Sequence, residues 1–405
     1  MQNTKAVDHA AIRRDRLHTM LPAIMEEQKI DAWLTFTREG SPDPLLPHLG
    51  LESIVARAAF LFARKRGAFR AISIAASYDV EPMVRSGLYD EVIPYRSEGV
   101  AAHLKPLLEA LDPGRIAVNS SRDVPIADGL TAGMRAYLEE ALSSRAERFV
   151  SAEGLVVSLL GRKLPLEIEA LVAAAEATQR ILAEALTAGH VVPGRTTEKA
   201  LDDWMRARAA ELGYGVAFGS VVVGPTRGHS EPTDRVIEPG DVLRTDWGAS
   251  CDGYCADIQR LAYVLRKGET AAPAWLEKLW AATLAANRAA TAMLVPGRTG
   301  HDADRAGREA IVAGGYSEFP HGTGHPIGLK VHDVGPMLGP DWPERYGKTV
   351  FFTIEAGQVF AVEPMAYIAP PELGYEVHAS LEEDVLVGPD GPRYIGRPQT
   401  SIILI

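Results

Sequence analysis

The sequence predicts an α/β (α+β) fold in two domains, a small one at 1–158 and a larger one at 159–405. Three observations predict it. Helix-like and strand-like segments alternate through the N-terminal part, a block of sequence recurs in the C-terminal part, and carboxylates gather at strand-like segments of that second part.

In chain order, Arg13 to Gln28 reads as an amphipathic helix and Asp31 to Phe36 as a strand. Ala58 to Ala63 and Ala68 to Ala75 suggest a hairpin turning at Arg66-Gly67, and Ile116 to Val118 a further short strand. The boundary falls near residues 150 to 165, where Phe149-Val150-Ser151-Ala152 leads through a loop to a helix over Leu166 to Ala188. Alanine and other strong helix formers fill that helix.

The internal repeat organises the rest. Val192-Pro193-Gly194-Arg195-Thr196 returns as Val295-Pro296-Gly297-Arg298-Thr299, and each copy precedes a helical stretch ending at a Gly-Tyr pair, Gly213-Tyr214 or Gly315-Tyr316. Glu238-Pro239-Gly240-Asp241-Val242-Leu243 is echoed by Glu355-Ala356-Gly357-Gln358-Val359-Phe360. The sixth residue after that glycine is Asp246 in one copy and Glu363 in the other, and a second acid follows in each half, Asp257 and Glu382. Two related half-domains facing each other would set four acids around a pseudo-twofold axis.

Local patterns agree with that arrangement. Val242 to Ala249 and Tyr254 to Val264 read as two strands joined by a turn at Cys251-Asp252-Gly253, so Asp246 and Asp257 can converge on one side of a hairpin. His325 stands in His321-Gly322-Thr323-Gly324-His325, where the glycines suit a chain that bends tightly. Val362-Glu363-Pro364 and Leu381-Glu382-Glu383-Asp384 place carboxylates after or within apolar runs. An isolated acid at a strand end is ordinarily a turn former or a solvated charge, and a lone histidine is ordinarily packed or on the surface. Five such residues in repeat order make a candidate site for two metal ions. An oxygen-rich donor set favours manganese, then cobalt, then zinc, over metals that prefer thiolate. Paired ions in such sites polarise a carbonyl and generate a nucleophile from water near neutral pH, which points to a hydrolase.

The motifs Tyr254-Cys255-Ala256-Asp257, His321-Gly322-Thr323-Gly324-His325, Val362-Glu363-Pro364 and Leu381 to Val387 resemble those of the pita-bread metallopeptidases, from about Arg162 to the C-terminus. That family includes methionine aminopeptidase, aminopeptidase P, prolidase and the metal-free creatinase branch. The resemblance implies a creatinase-type N-terminal domain, a pseudo-twofold pita-bread catalytic domain, and Asp246, Asp257, His325, Glu363 and Glu382 as ligands. All five positions carry family residue types, which separates the chain from the creatinase branch. The resemblance also implies that His229 and His332 hold substrate and stabilise the tetrahedral intermediate, with Glu363 moving a proton, and that His321 is a further substrate-binding histidine. Homodimerisation through the N-terminal domain is implied too, with Arg38 to Leu51, rich in proline and glycine, as the loop lent to a partner's site. Glu231, Asp333, Glu383 and Asp384 are assigned to the surroundings of the site or the surface, and Trp247 and Tyr254 to the core.

Two positions depart from the proline-specific branch. Ser380 stands where arginine usually precedes the last ligand by two residues, with His378 nearby, and Gln259 stands where threonine usually follows the second aspartate. Chain length and a single small N-terminal domain fit a prolidase acting on Xaa-Pro dipeptides. The alternatives are an aminopeptidase P acting on longer Xaa-Pro peptides and a hydrolase of small non-peptide amides. A prolidase can exclude longer chains by capturing the free carboxylate; with Ser380 in place of arginine, that task would fall to His332, His378 or the dimer loop.

Composition frames this reading. A formal net charge of −11 argues against non-specific nucleic-acid binding, which needs basic surface. Only Cys251 and Cys255 are present, too few for a disulfide framework, and they are expected to be reduced and partly buried. Met1 to Leu17 lacks the apolar core of a signal peptide and no run of eighteen apolar residues occurs, so a cytoplasmic protein with no membrane partner is expected.

Overall fold

The structure, a computed structural model, describes residues 7–228 and 230–405. It divides into two compact units, residues 8–160 and 161–405. His229 lies outside the described residues.

The first unit is built on six strands: β1 (Ala32–Thr37), β2 (Ala58–Lys65), β3 (Ala68–Ala76), β4 (Glu91–Tyr95), β5 (Ile116–Val118) and β6 (Phe149–Ser151). They lie in the order β4-β3-β2-β1-β5-β6. β1, β2 and β3 pair antiparallel, and the outer strands β4, β5 and β6 add in parallel. The β2–β3 hairpin turns at Arg66 and Gly67, both at positive φ, which is the geometry that matches strand twist across a two-residue loop. Leu34, Phe36, Leu61, Ile72 and Ile74 pack with Leu104, Leu108, Leu138 and Leu142 of the helices Val100–Leu111 and Ala132–Leu142.

Several boundaries differ from the sequence reading for identifiable reasons. The first helix is three pieces, His9–Asp15, a π turn Arg16–Met20 and Leu21–Glu27. Pro22 brings no amide to the hydrogen-bond ladder, and the turn before it widens. The expected loop after Ala152 is instead a helix, Glu153–Gly161; its run Leu155 to Leu160 is almost wholly apolar and buried, so no helical period was visible in it. The following long helix is Pro165–Ala185, opened by proline in its first turn. In the segment Arg38 to Leu51, Asp43, Leu45, Leu46, Leu49 and Leu51 are buried, and Glu39, Gly40, Pro42, Pro44 and Pro47 are exposed.

The second unit repeats one plan. Helices Pro165–Ala185 and Glu198–Leu212 precede β7 (Gly215–Val222), β8 (Val242–Cys251), β9 (Tyr254–Cys255) and β10 (Ile258–Tyr263). Helices Ala274–Ala292 and Gly300–Ala313 precede β11 (Gly324–Pro326), β12 (Val359–Val362), β13 (Met365–Ile368), β14 (Val377–Ser380), β15 (Glu383–Gly388) and β16 (Gly391–Tyr394). With β17 (Ile403–Leu404), the strands form sheets β17-β10-β8-β7, to which β9 adds by pairing with β8, and β11-β12-β15-β16, plus the pair β13-β14.

The repeated residues make the same bonds in both halves. Gly194 donates its amide to Ile237 and Gly297 to Ile354, at 2.9 and 3.0 Å. Gly240 donates to Val264 and Gly357 to Val387, at 2.6 and 2.8 Å. Each of these four glycines has positive φ, which is why glycine recurs at these places. Thr197 and Thr299 cap the second helix of each half, and Gly213 and Gly315 end those helices in the left-handed region.

Two glycines allow close approach where the acids sit. A Cβ on Gly248 would lie 2.0 Å from the Ala256 carbonyl oxygen, and one on Gly324 would lie 2.0 Å from that of Ala361. The first contact lets the chain leave the hairpin ladder at Ala256-Asp257, so the expected continuous strand Tyr254 to Val264 is broken there. Among the described residues no helix is long and apolar enough to cross a membrane.

Gly324→Ala is therefore expected to cost about 1–3 kcal/mol through forced separation of β11 and β12. Gly133→Ala, in a helix with open space at Cβ, should be neutral or stabilising. Thermal unfolding of the two variants checks this; an unchanged midpoint for Gly324→Ala contradicts the close packing.

Candidate metal centre and active site

Asp246 lies mid-strand in β8, opposite Gln259 of β10 and Ser220 of β7. Asp257 sits at the break between β9 and β10, His325 is central in β11, Glu363 follows the last residue of β12, and Glu382 lies between β14 and β15. The two halves of the repeat thus supply acids at matching places.

Asp257, His325 and Glu382 are buried, and one ligand-type atom from each lies within 4.8 Å of the others. His325 Nε2 is 3.4 Å from Asp257 Oδ2 and 3.8 Å from Glu363 Oε1. Its Nδ1 is 3.2 Å from the Pro326 carbonyl, which can only accept, so Nδ1 carries a proton and Nε2 is the nitrogen turned to the acids. Asp246 and Glu363 are partly exposed. Asp246, Asp257 and Glu363 all act electrostatically on Glu382.

The charges strain one another. Burial, then the negative charges of Asp257, Glu363 and Asp246, push the Glu382 carboxyl well above the usual carboxylate range. Burial likewise drives Asp384 up, with Asp257 adding to it. Burial alone would lower the His325 imidazole; the hydrogen bond and charge of Asp257, then Glu363, overcome it and hold the group at about 9. Asp257 Oδ1 and both carboxylate oxygens of Glu382 are buried and accept no hydrogen bond from a described group. Buried carboxylate oxygens without donors, beside an imidazole nitrogen facing them, are the donor set of a divalent-cation site, so these residues fit a metal.

The surroundings explain how the ligands are held. Arg260 donates to the Glu382 carbonyl at 3.2 Å and pairs with Glu383 at 3.0 Å, so the last ligand is braced from β10 although Ser380 replaces the usual arginine. Gln259 Nε2 is 3.4 Å from Glu363 Oε2, giving the departure from threonine a contact on a ligand. Asp384 accepts from the Asp257 amide at 3.3 Å. Asp304 accepts from the Thr323 amide and hydroxyl at 3.1 and 2.8 Å and pairs with Arg308 at 2.7 Å. Arg308 donates to the carbonyls of Phe319 and His321, fixing the loop before His325. Lys163 pairs with Asp333 at 2.8 Å beside His332.

Of the histidines expected at the substrate, His332 is exposed, with its ring 4.0 Å from that of His325. His321 lies on the loop before β11, its ring 5.0 Å from Phe319, and it acts electrostatically on His378. Trp247 and Tyr254 are core, Glu231 is exposed, and Glu383 and Asp384 are buried behind the ligands. Arg260, Asp304, Arg308 and Lys163 were missed in the sequence. The available signal was charge on an apolar stripe: Asp304 and Arg308 share the buried helix face of Ala303, Gly307 and Ile311.

The model of metallopeptidase family M24 matches residues 169–389, more than half of the chain. The chain belongs to metallopeptidase family M24. This M24 chain is 31% identical over 209 residues to the uncharacterized peptidase YqhT of Bacillus subtilis, a match covering 51% of this chain and 53% of that one. It spans about half the length of the curated relatives it matches. Among solved structures, the Xaa-Pro dipeptidase from Bacillus anthracis superposes with TM-score 0.65 at 24% identity, covering 98% of this chain and 100% of the other. The X-Pro aminopeptidase from Thermotoga maritima superposes with TM-score 0.62 at 24% identity, covering 95% and 100%. The M24 chain therefore has the pita-bread fold, and its family depends on paired metal ions.

The raised groups set a pH dependence for the metal-free M24 chain. Glu382, Asp384 and His325 hold protons in the folded state that the unfolded chain releases at lower pH. Their contribution is complete below the unfolded values and is lost as pH rises through the folded ones. The unfolding midpoint of chelator-treated protein should therefore fall from pH 7 to pH 9; a flat or rising midpoint contradicts the crowding of these charges.

Proposed function

We propose that the protein hydrolyses the Xaa-Pro bond of dipeptides with two divalent metal ions, manganese foremost, held by Asp246, Asp257, His325, Glu363 and Glu382. The observation that carries this reading is the buried, donor-poor cluster of Asp257, His325 and Glu382, with Glu363 3.8 Å from the histidine. When bound, the ions supply Lewis acidity toward the scissile carbonyl and lower the pKa of water.

The chain's own residues do the rest. Asp246, Asp257, His325 and Glu382 fix the position of the reacting centre. Glu363 is partly exposed, with Gln259 donating to one oxygen, and it takes a proton and passes it toward the leaving nitrogen. A proline nitrogen leaves as a secondary amine and needs that proton. His332, at the solvent side of His325, donates to the developing oxyanion together with His229. His321 contacts the substrate from the loop before β11. The N-terminal unit, 1–158 by the sequence boundary, serves homodimerisation, and the protein works in the cytoplasm.

The names of the similar structures support proline-directed chemistry in general, since one is a dipeptidase and the other an aminopeptidase at equal identity. The dipeptide preference rests on chain organisation and is open to direct test. Manganese-reconstituted protein should cleave Ala-Pro in a chelator-sensitive way and leave Ala-Pro-Ala intact. Cleavage of the tripeptide in preference would make the enzyme an aminopeptidase P, and cleavage of neither with metal bound would overturn proline specificity in favour of non-peptide amides. Glu363→Gln should reduce kcat by at least about a hundredfold, the scale of a lost general acid; near wild-type kcat in a metal-replete variant contradicts its role.

A further inference from the structure

We propose that Arg244 receives the free carboxylate of the substrate, with His378 as its partner. This rests on reading the site as an Xaa-Pro dipeptidase and names the group that would make it one.

Arg244 is the third residue of β8, two before Asp246, so both side chains leave the same face of the strand about 7 Å apart along it. It is 4% exposed. One terminal nitrogen, Nη2, donates to the carbonyls of Gly224 and Pro225 at 2.6 and 3.5 Å, and Nη1 lies 3.3 Å from His378 Nδ1. Its Nε is buried with no hydrogen-bond partner. Among the described residues no carboxylate forms an ion pair with it. Carbonyls and an imidazole satisfy hydrogen bonds without pairing the charge, which Glu198 and Asp241 offset only from a distance, and a buried guanidinium with no contact ion pair is costly.

Tyr367 of β13 feels both the ligand Glu363 and Arg244, which links this guanidinium to the centre. The position of Arg244 also answers the departure at residue 380. Ser380 is two residues from His378 on β14, and Arg244 reaches His378 from β8. The guanidinium absent from β14 is supplied by β8, a strand of a different sheet.

His378 completes the pair. Its Nδ1 faces Arg244, which can only donate, and the Thr226 hydroxyl at 2.9 Å. Nδ1 is therefore the acceptor, and the ring proton is on Nε2, available as a second donor. In an Xaa-Pro dipeptide the carboxylate is three bonds from the scissile carbonyl carbon, about 4 Å at most. A cation two strand residues from a ligand is on the right scale to reach it. A tripeptide has an amide at that place and leaves the guanidinium unmatched.

The competing role is structural, since Arg244 also ties down the Gly224-Pro225 turn. The experiment compares kcat/KM for Ala-Pro and Ala-prolinamide in manganese-loaded full-length protein, for wild type, Arg244→Lys and Arg244→Met. A charge-assisted hydrogen bond predicts that wild type prefers Ala-Pro by about 10- to 100-fold, that Arg244→Met abolishes the preference chiefly through KM, and that Arg244→Lys keeps part of it. Equal rates on both substrates in wild type, or equal losses on both in Arg244→Met, overturn the proposal. Calorimetric binding of L-proline and L-prolinamide to the same proteins separates this from the dipeptidase reading. If wild type cleaves neither substrate, tighter binding of proline that Arg244→Met removes still supports the carboxylate site, and equal binding of the two overturns it.

Discussion

Carboxylates that share one poorly solvated place repel one another, and the residues around them must hold them there. Asp246, Asp257 and Glu363 act on Glu382 beside His325, and Asp257, His325 and Glu382 are buried. Without positive charge nearby the Glu382 carboxyl is pushed well above its ordinary range and the His325 imidazole is held at about 9. Every reinforcing contact nearby serves to hold these groups together against that repulsion. Arg260 braces Glu382 from behind, Asp304 and Arg308 fix the loop that presents His325, and Gln259 leans on Glu363.

The duplicated architecture makes such a cluster feasible. Each half contributes two acids from matching positions, and the turns that set those positions use the same glycine amides bonded to the same carbonyls. Close approach at Gly248 and Gly324 then removes the side-chain volume that would keep the strands apart. Rigid strands, not mobile loops, carry Asp246 and His325, which suits a centre whose ligand spacing must be kept to fractions of an ångström.

Much of this was legible in the sequence because the repeat carries its own register. Gly240 and Gly357 point to Asp246 and Glu363 by counting alone, and the hairpin turn at Asp252-Gly253 has the positive φ values its residues favour. The hairpin at Arg66-Gly67 was readable for the same reason. What stayed hidden depends on tertiary pairing. The helix Glu153–Gly161 is apolar on nearly every side, and the parallel strands Glu91–Tyr95 and Phe149–Ser151 are too short for alternation to stand out. Arg260 and Arg244 are charged residues inside apolar strands. Sequence marks them as anomalies but does not say that one braces Glu382 while the other stands beside His378.

Whether the acids form one centre for two cations is decided by metal stoichiometry with proton counting. Titrating chelator-stripped protein with manganese by calorimetry, in buffers of different ionisation enthalpy at pH 7, gives both quantities at once. Two ions should bind per chain, with proton release as His325, held at about 9 without metal, gives up its proton. Failure to bind metal, or binding with no proton release, would rule out a shared centre.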